Sequence, residues 1–94
     1  MTTQATGSTS AQGTLSLYGY PQCPFCARVL RAIEELDLEI PLLNTMQDAT
    51  HREAVVEATG RGTVPVLKIE GADGEVRWMP ESADIIRYLI NHYA

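Results

Sequence analysis

"TLSLYGYPQCPFCARVLRAIEEL", Thr14–Leu36, changes its hydrophobic period halfway, and that change sets the architecture. Leu15 and Leu17 alternate with Ser16 and lead into aromatic residues, the pattern of a half-buried strand. From Pro24 the period lengthens. Cys26, Leu30 and Ile33 stand at i, i+4 and i+7, and Val29 and Leu36 widen the stripe. Arg28, Arg31, Glu34 and Glu35 fall on the opposite side, so an amphipathic helix follows the strand. Both cysteines of the chain, Cys23 and Cys26, sit at the junction.

Outward from this unit the pattern repeats. "LEIPLLN" (residues 38–44) reads as a second strand, with Pro41 suited to a sheet edge because it lacks a backbone donor. Thr50 with Glu53 forms a capping-box pattern, and Gly60 suits the end of a short helix between them. "VPVLKIE" (64–70) is a third strand, "GADGE" (71–75) a hairpin turn and "VRWM" (76–79) a fourth strand. A last helix opens near Ser82. Its buried face is expected to be Ile85, Ile86, Leu89, Ile90 and Tyr93, with Asp84, Arg87 and Asn91 in water. The order β-α-β-α-β-β-α predicts an α/β fold with a mixed four-stranded sheet flanked by helices. Helical crossovers imply parallel pairing for at least the first two strands.

The chain has 94 residues, one small domain by size. Residues 1–13, "MTTQATGSTSAQG", hold almost no large apolar side chain, so a disordered tail is expected there and a domain over 14–94. The net charge of −5 argues against broad binding to nucleic acid or anionic membranes. No apolar run reaches the length of a membrane span. The N-terminus lacks the basic and apolar regions of a secretory signal, so a cytoplasmic location is the expectation. A monomer is expected as well. In a reducing compartment a close cysteine pair is more often catalytic, redox-sensing or metal-binding than structural.

Pro24 fits the first helical position, which makes Cys23 the N-cap and Cys26 the third residue of the helix. First-turn N–H groups and the positive end of the helix dipole favour a thiolate at Cys23. The two Cα atoms would lie about 5–6 Å apart, within disulfide range. Cys26 would point into the first turn as the buried partner. Two inert core thiols are the plain alternative. A zinc site needs about four ligands, and only His51 and His92 remain, without metal-site spacing, so no metal is expected.

"CPFC" after a strand and "TVP" before another resemble the glutaredoxins. "VPVLKIEGADGEVRWMPESADIIRYL" is similar to the thioredoxin-like N-terminal domain of glutathione S-transferases, and the "MPES-x-DI" stretch is shared with bacterial glutaredoxins of that type. The likeness covers about Leu15–Ala94. It implies a thioredoxin-like fold and a glutathione-dependent thiol–disulfide oxidoreductase. Glutathione would be co-substrate, and glutathionylated or disulfide-bonded proteins the partners. By position Cys23 matches the nucleophilic cysteine and Cys26 the resolving one. Pro65 matches a cis-proline whose neighbour Val64 pairs through its backbone with the cysteinyl part of glutathione. Glu81 and Ser82 match the pair that holds the γ-glutamyl end. Tyr20, Pro24, Phe25 and Thr63 complete the implied glutathione site.

There are departures from the pattern. Tyr20 stands where lysine is common, and Gly62 where arginine often precedes "TVP". The contact to the glycyl carboxylate of glutathione then falls to Arg61, Gln22 or Arg52. Phe25 replaces a frequent tyrosine and keeps an apolar rim without its hydroxyl. Transferase-type relatives continue into a helical second domain, so a face they bury is expected to be polar or partnered here. The alternative function is a module that holds an iron–sulfur cluster through the first cysteine and glutathione. Pro24 and Cys26 depart from the single-cysteine motif of such proteins.

Overall fold

The computed structural model describes residues 13–94, so the tail expected over residues 1–13 lies outside the described residues except for Gly13. The elements are β1 (Thr14–Gly19), α1 (Pro24–Glu35), β2 (Leu42–Asn44), α2 (Ala49–Thr59), β3 (Val66–Glu70), β4 (Val76–Met79) and α3 (Ser82–Tyr93). Their order is the one the hydrophobic periods imply. The sheet order is β2-β1-β3-β4. β1 and β2 run parallel, with Leu17 opposite Leu42. β3 is antiparallel to β1 and to β4.

β2 is shorter than its apolar run, for a local reason. Asp37 takes the left-handed conformation, with φ 59°. Its N–H bonds the Glu34 carbonyl, and the Leu38 N–H bonds the Ile33 carbonyl, both at 3.0 Å. That is a Schellman end to α1. The Leu38 amide is occupied by the helix and Pro41 has none, so ladder pairing starts only after Pro41. The Pro41 carbonyl still accepts from the Leu17 N–H at 3.0 Å. β2 lies at the edge, as its proline predicts.

The α2 cap differs from the sequence expectation. Asp48, not Thr50, is the N-cap, and its carboxylate accepts the Thr50 N–H at 2.9 Å. Asp is among the strongest N-cap residues, so the helix begins at Ala49 and Thr50 lies inside it. Gly60 ends α2 in the left-handed conformation, φ 81°, as expected.

One sheet face carries the main core. Leu15 and Leu17 of β1 and Leu67 and Ile69 of β3 pack against Val29 and Ile33 of α1 and Ile85 and Leu89 of α3. Each fully buried Leu or Ile contributes about 1.5–3 kcal/mol. The other face packs Tyr18 and Val66 against Val55 of α2. Ile90 is not buried as expected; it is 49% exposed. Ile85 and Leu89 define the buried line of α3, and Ile90 lies about 100° further round the helix. No helix among the described residues is long and apolar enough to cross a membrane.

Candidate active site

The cysteine pair sits where β1 hands over to α1. β1 ends at Gly19, and the Cys23 N–H returns to the Tyr20 carbonyl at 3.2 Å to close a tight loop. Cys23 is the N-cap with extended backbone, φ −79° and ψ 125°, and Pro24 occupies the first helical turn. Cys26 follows one turn in and is fully buried, while Cys23 is partly exposed. Both thiols are free.

A glycine makes room for the inner sulfur. A Cβ on Gly19 would stand 2.5 Å from the Cys26 sulfur and 3.8 Å from the Pro65 Cα. Gly19→Ala therefore forces the thiol or the strand aside. Overpacking of this kind costs about 1–3 kcal/mol. A lowered urea midpoint and slower closure of the Cys23–Cys26 disulfide are the expected readings. A variant with native stability would show that the thiol swings away freely.

The pKa values of the two thiols shift in opposite directions. Burial raises the Cys23 pKa, but the Cys26 amide, the Cys26 thiol and the Phe25 amide outweigh it, so the net shift is downward. No N–H meets strict capping geometry at the sulfur. The effect is that of amides directed toward the thiolate from the first turn, as at other helix N-termini. Cys26 goes the other way. Burial pushes it up to about 11, and its hydrogen bond and charge interaction with Cys23 add to the rise. One sulfur is thus poised to ionise and the other is held as a thiol.

Cys23 opens into a cleft of about 300 Å³ lined also by Tyr20, Thr45, Met46, Arg52, Gly62, Thr63 and Val64. The Val64–Pro65 bond is cis. Pro65 is buried behind the lining. The structure thus brings Tyr20, Thr63 and Val64 to Cys23. Pro24 and Phe25 are exposed at the start of α1. Glu81 and Ser82 open α3 and do not line the cleft; Glu81 is its N-cap and Ser82 its first residue.

Of the three candidates for the contact to the glycyl carboxylate, only Arg52 lines the cleft. A Cβ on Gly62 would lie 3.5 Å from an Arg52 guanidinium nitrogen, so the guanidinium covers the glycine where an arginine was expected. Arg61 and Gln22 are exposed and absent from the lining.

Sequence reading overlooked Thr45 and Met46. The available signal was topological. Gly19 and Asn44 are opposite each other in the parallel β1–β2 pair, so the residues after both strand ends meet. Ligand sites gather at the carboxyl ends of parallel strands.

The profile of the glutathione S-transferase N-terminal domain matches residues 17–94. The chain belongs to that family. Glutaredoxin 2 of Escherichia coli strain K12 is 32% identical over 77 residues, which cover 80% of this chain and 32% of that protein. The chain thus spans about a third of the length of that relative. Among solved structures, the trimeric glutathione transferase TDR1 of Leishmania superposes with a TM-score of 0.71 at 32% identity, over 86% of this chain and 18% of that one. Glutathione transferase E6 of Drosophila melanogaster gives a TM-score of 0.67 at 30% identity, over 86% of this chain and 36% of that one. The fold is thioredoxin-like, as the resemblance implied. Within the family's domain, the Cys23–Cys26 pair stands at the first strand–helix junction.

Proposed function

We propose that this domain is a glutathione-dependent thiol–disulfide oxidoreductase acting in a reducing cytoplasm. The observation that carries the reading is the split pair: a partly exposed Cys23 with a lowered pKa over a buried Cys26 held at about 11. The glutaredoxin and transferase relatives support glutathione as the co-substrate.

The Cys23 thiolate attacks the glutathionyl sulfur of a protein–glutathione mixed disulfide. A Cys23–glutathione disulfide forms, and the protein thiolate leaves and takes up a proton. The thiolate of a second glutathione attacks the bound glutathionyl sulfur, giving glutathione disulfide and restoring the Cys23 thiolate. With a protein disulfide, Cys23 instead forms a mixed disulfide with one substrate sulfur. Cys26, once deprotonated, attacks the Cys23 sulfur and releases the reduced substrate. Two glutathiones reduce the resulting Cys23–Cys26 disulfide. Part of what raises Cys26 is the thiol and charge of Cys23. Both vanish when Cys23 enters a mixed disulfide, so Cys26 becomes easier to ionise only after the first step.

In this reading Val64 offers its backbone to the cysteinyl part of glutathione, and Thr63 and Tyr20 wall the cleft. Arg52 meets the glycyl carboxylate. The γ-glutamyl end extends to Glu81 and Ser82, where α3 begins; its first-turn N–H groups and the Glu81 carboxylate suit a carboxylate and an ammonium. Arg52→Ala is expected to raise the KM for glutathione about fivefold, the upper end for a solvent-exposed ion pair, with kcat little changed. An unchanged KM would remove Arg52 from the site.

Transfer of glutathione to an electrophile is the second reading, favoured by the transferase likeness. A glutathione-coupled assay with a glutathione mixed disulfide, run beside conjugation of glutathione to a chloronitrobenzene, separates the two. Turnover of the disulfide alone is expected; conjugation alone would reverse the assignment.

A further inference from the structure

The turn after β2 holds an apolar side chain beside the nucleophile, and thiol exchange by itself does not require one. Met46 lines the same cleft as Cys23 and is 71% exposed. Its backbone is tied on both sides. The Thr45 N–H donates to the Gly19 carbonyl at 3.0 Å and the Asp48 N–H to the Asn44 carbonyl at 3.1 Å. The Asn44 side-chain oxygen accepts the N–H of Met46 at 2.9 Å and of Gln47 at 3.1 Å. Thr45 is buried beneath the turn. Met46 is thus fixed relative to β1, the strand that leads into the cysteine loop.

A thioether carried on a held backbone and facing water leaves apolar area uncovered until a partner arrives. Methionine is unbranched and polarisable, and adapts to partners of varied shape. Phe25 adds a second such surface. It stands two residues after Cys23 in the first turn of α1, outside the cleft lining, and its side chain is 55% exposed. Among the described residues, Arg52 brings the one cationic side chain to the lining, and the proposed function assigns it to glutathione. Beside the uncharged polar groups of Tyr20, Thr45 and Thr63, the exposed large apolar side chains left for the polypeptide side of the disulfide are Met46 and Phe25.

We infer that Met46, with Phe25, is a specificity determinant: it selects glutathionylated polypeptides that carry an apolar residue next to the modified cysteine. The inference rests on the glutathione-dependent reading above. Both apolar groups lie outside the attack itself, so the preference belongs to KM rather than to kcat.

The test uses two glutathionylated peptides that differ only in having Leu or Gln beside the cysteine. Neither flank is charged, so the acidity of the protein does not bias the comparison. Wild type is expected to favour the Leu peptide about fivefold in kcat/KM, below the roughly tenfold of an enclosed pocket. Met46→Leu should keep that ratio, and Met46→Gln should bring it close to one. Equal use of both peptides by wild type, or an unchanged ratio in Met46→Gln, overturns the role of Met46. Absence of turnover with either peptide and with a small glutathione mixed disulfide removes the glutathione-dependent reading itself, and this inference with it.

Discussion

Cys23→Ser is expected to lower disulfide reduction to the uncatalysed rate, while Cys26→Ser keeps the reduction of glutathione mixed disulfides within the same order of magnitude. A serine hydroxyl at position 23 is not ionised near neutral pH and cannot form the sulfur–sulfur bond on which the cycle depends. The first-turn amides that favour a thiolate have nothing comparable to stabilise. Cys26 has a different task. Its sulfur is fully buried, so an external disulfide cannot reach it. It acts only on a disulfide already formed at Cys23. Cys26→Ser should therefore lose most activity toward protein disulfides, whose first intermediate is left without its internal exit. The measurement is a glutathione-coupled assay on wild type and both variants with both kinds of substrate. Equal loss in the two variants, or an active Cys23→Ser, would refute these roles.

Alkylation at pH 7 should label Cys23 and leave Cys26 almost untouched. With a pKa of about 11, Cys26 carries thiolate in only about one molecule in 10⁴ at that pH, before its burial slows the reagent further. Cys23 is shifted downward from the ordinary thiol value, so its rate should rise with pH and level off below that value. The signs in the single variants follow from the mutual interaction. In Cys26→Ser the Cys26 thiol no longer lowers Cys23, although a serine hydroxyl replaces part of its hydrogen bond; the Cys23 midpoint moves up or stays, never down. In Cys23→Ser the charge that raised Cys26 is gone, and its midpoint falls below about 11. Rates from pH 5 to 11, with the labelled peptide identified by mass spectrometry, give both midpoints. A Cys23 midpoint at the value of a free thiol would count against the helix-start argument, and with it against the proposed attack step.

Much of the fold was legible because each element carries its own period. The alternation of Leu15 and Leu17 and the stripe of Cys26, Val29 and Ile33 are local signals, and the structure buries those residues. Pro24 and Gly60 mark helix ends through backbone properties that no distant contact changes. The misreadings occurred where two local signals competed or where packing decided. Asp48 outcompeted Thr50 for the cap of α2. Asp37 entered the left-handed region and took Leu38 into the end of α1, which shortened β2. Ile90 belongs to the apolar set of α3 by sequence, yet the sheet covers only the line through Ile85 and Leu89.

The site divides in the same way. Sequence by itself determined the cysteine spacing, their placement at a helix start and therefore which sulfur is outer and which inner, because capping and helix rise are properties of a single turn. It also presented three candidates for the carboxylate contact, Arg61, Gln22 and Arg52, and no means of choosing among them. The tertiary structure made that choice. Parallel pairing of β1 with β2 places Thr45 and Met46 beside the cysteine loop, and α2 carries Arg52 over Gly62. Thr45, Met46 and Arg52 are separated from Cys23 along the chain by two elements, α1 and β2, and chain separation holds no signal of which side chains will share a cleft. Only the register of the sheet and the docking of α2 on it convey that information.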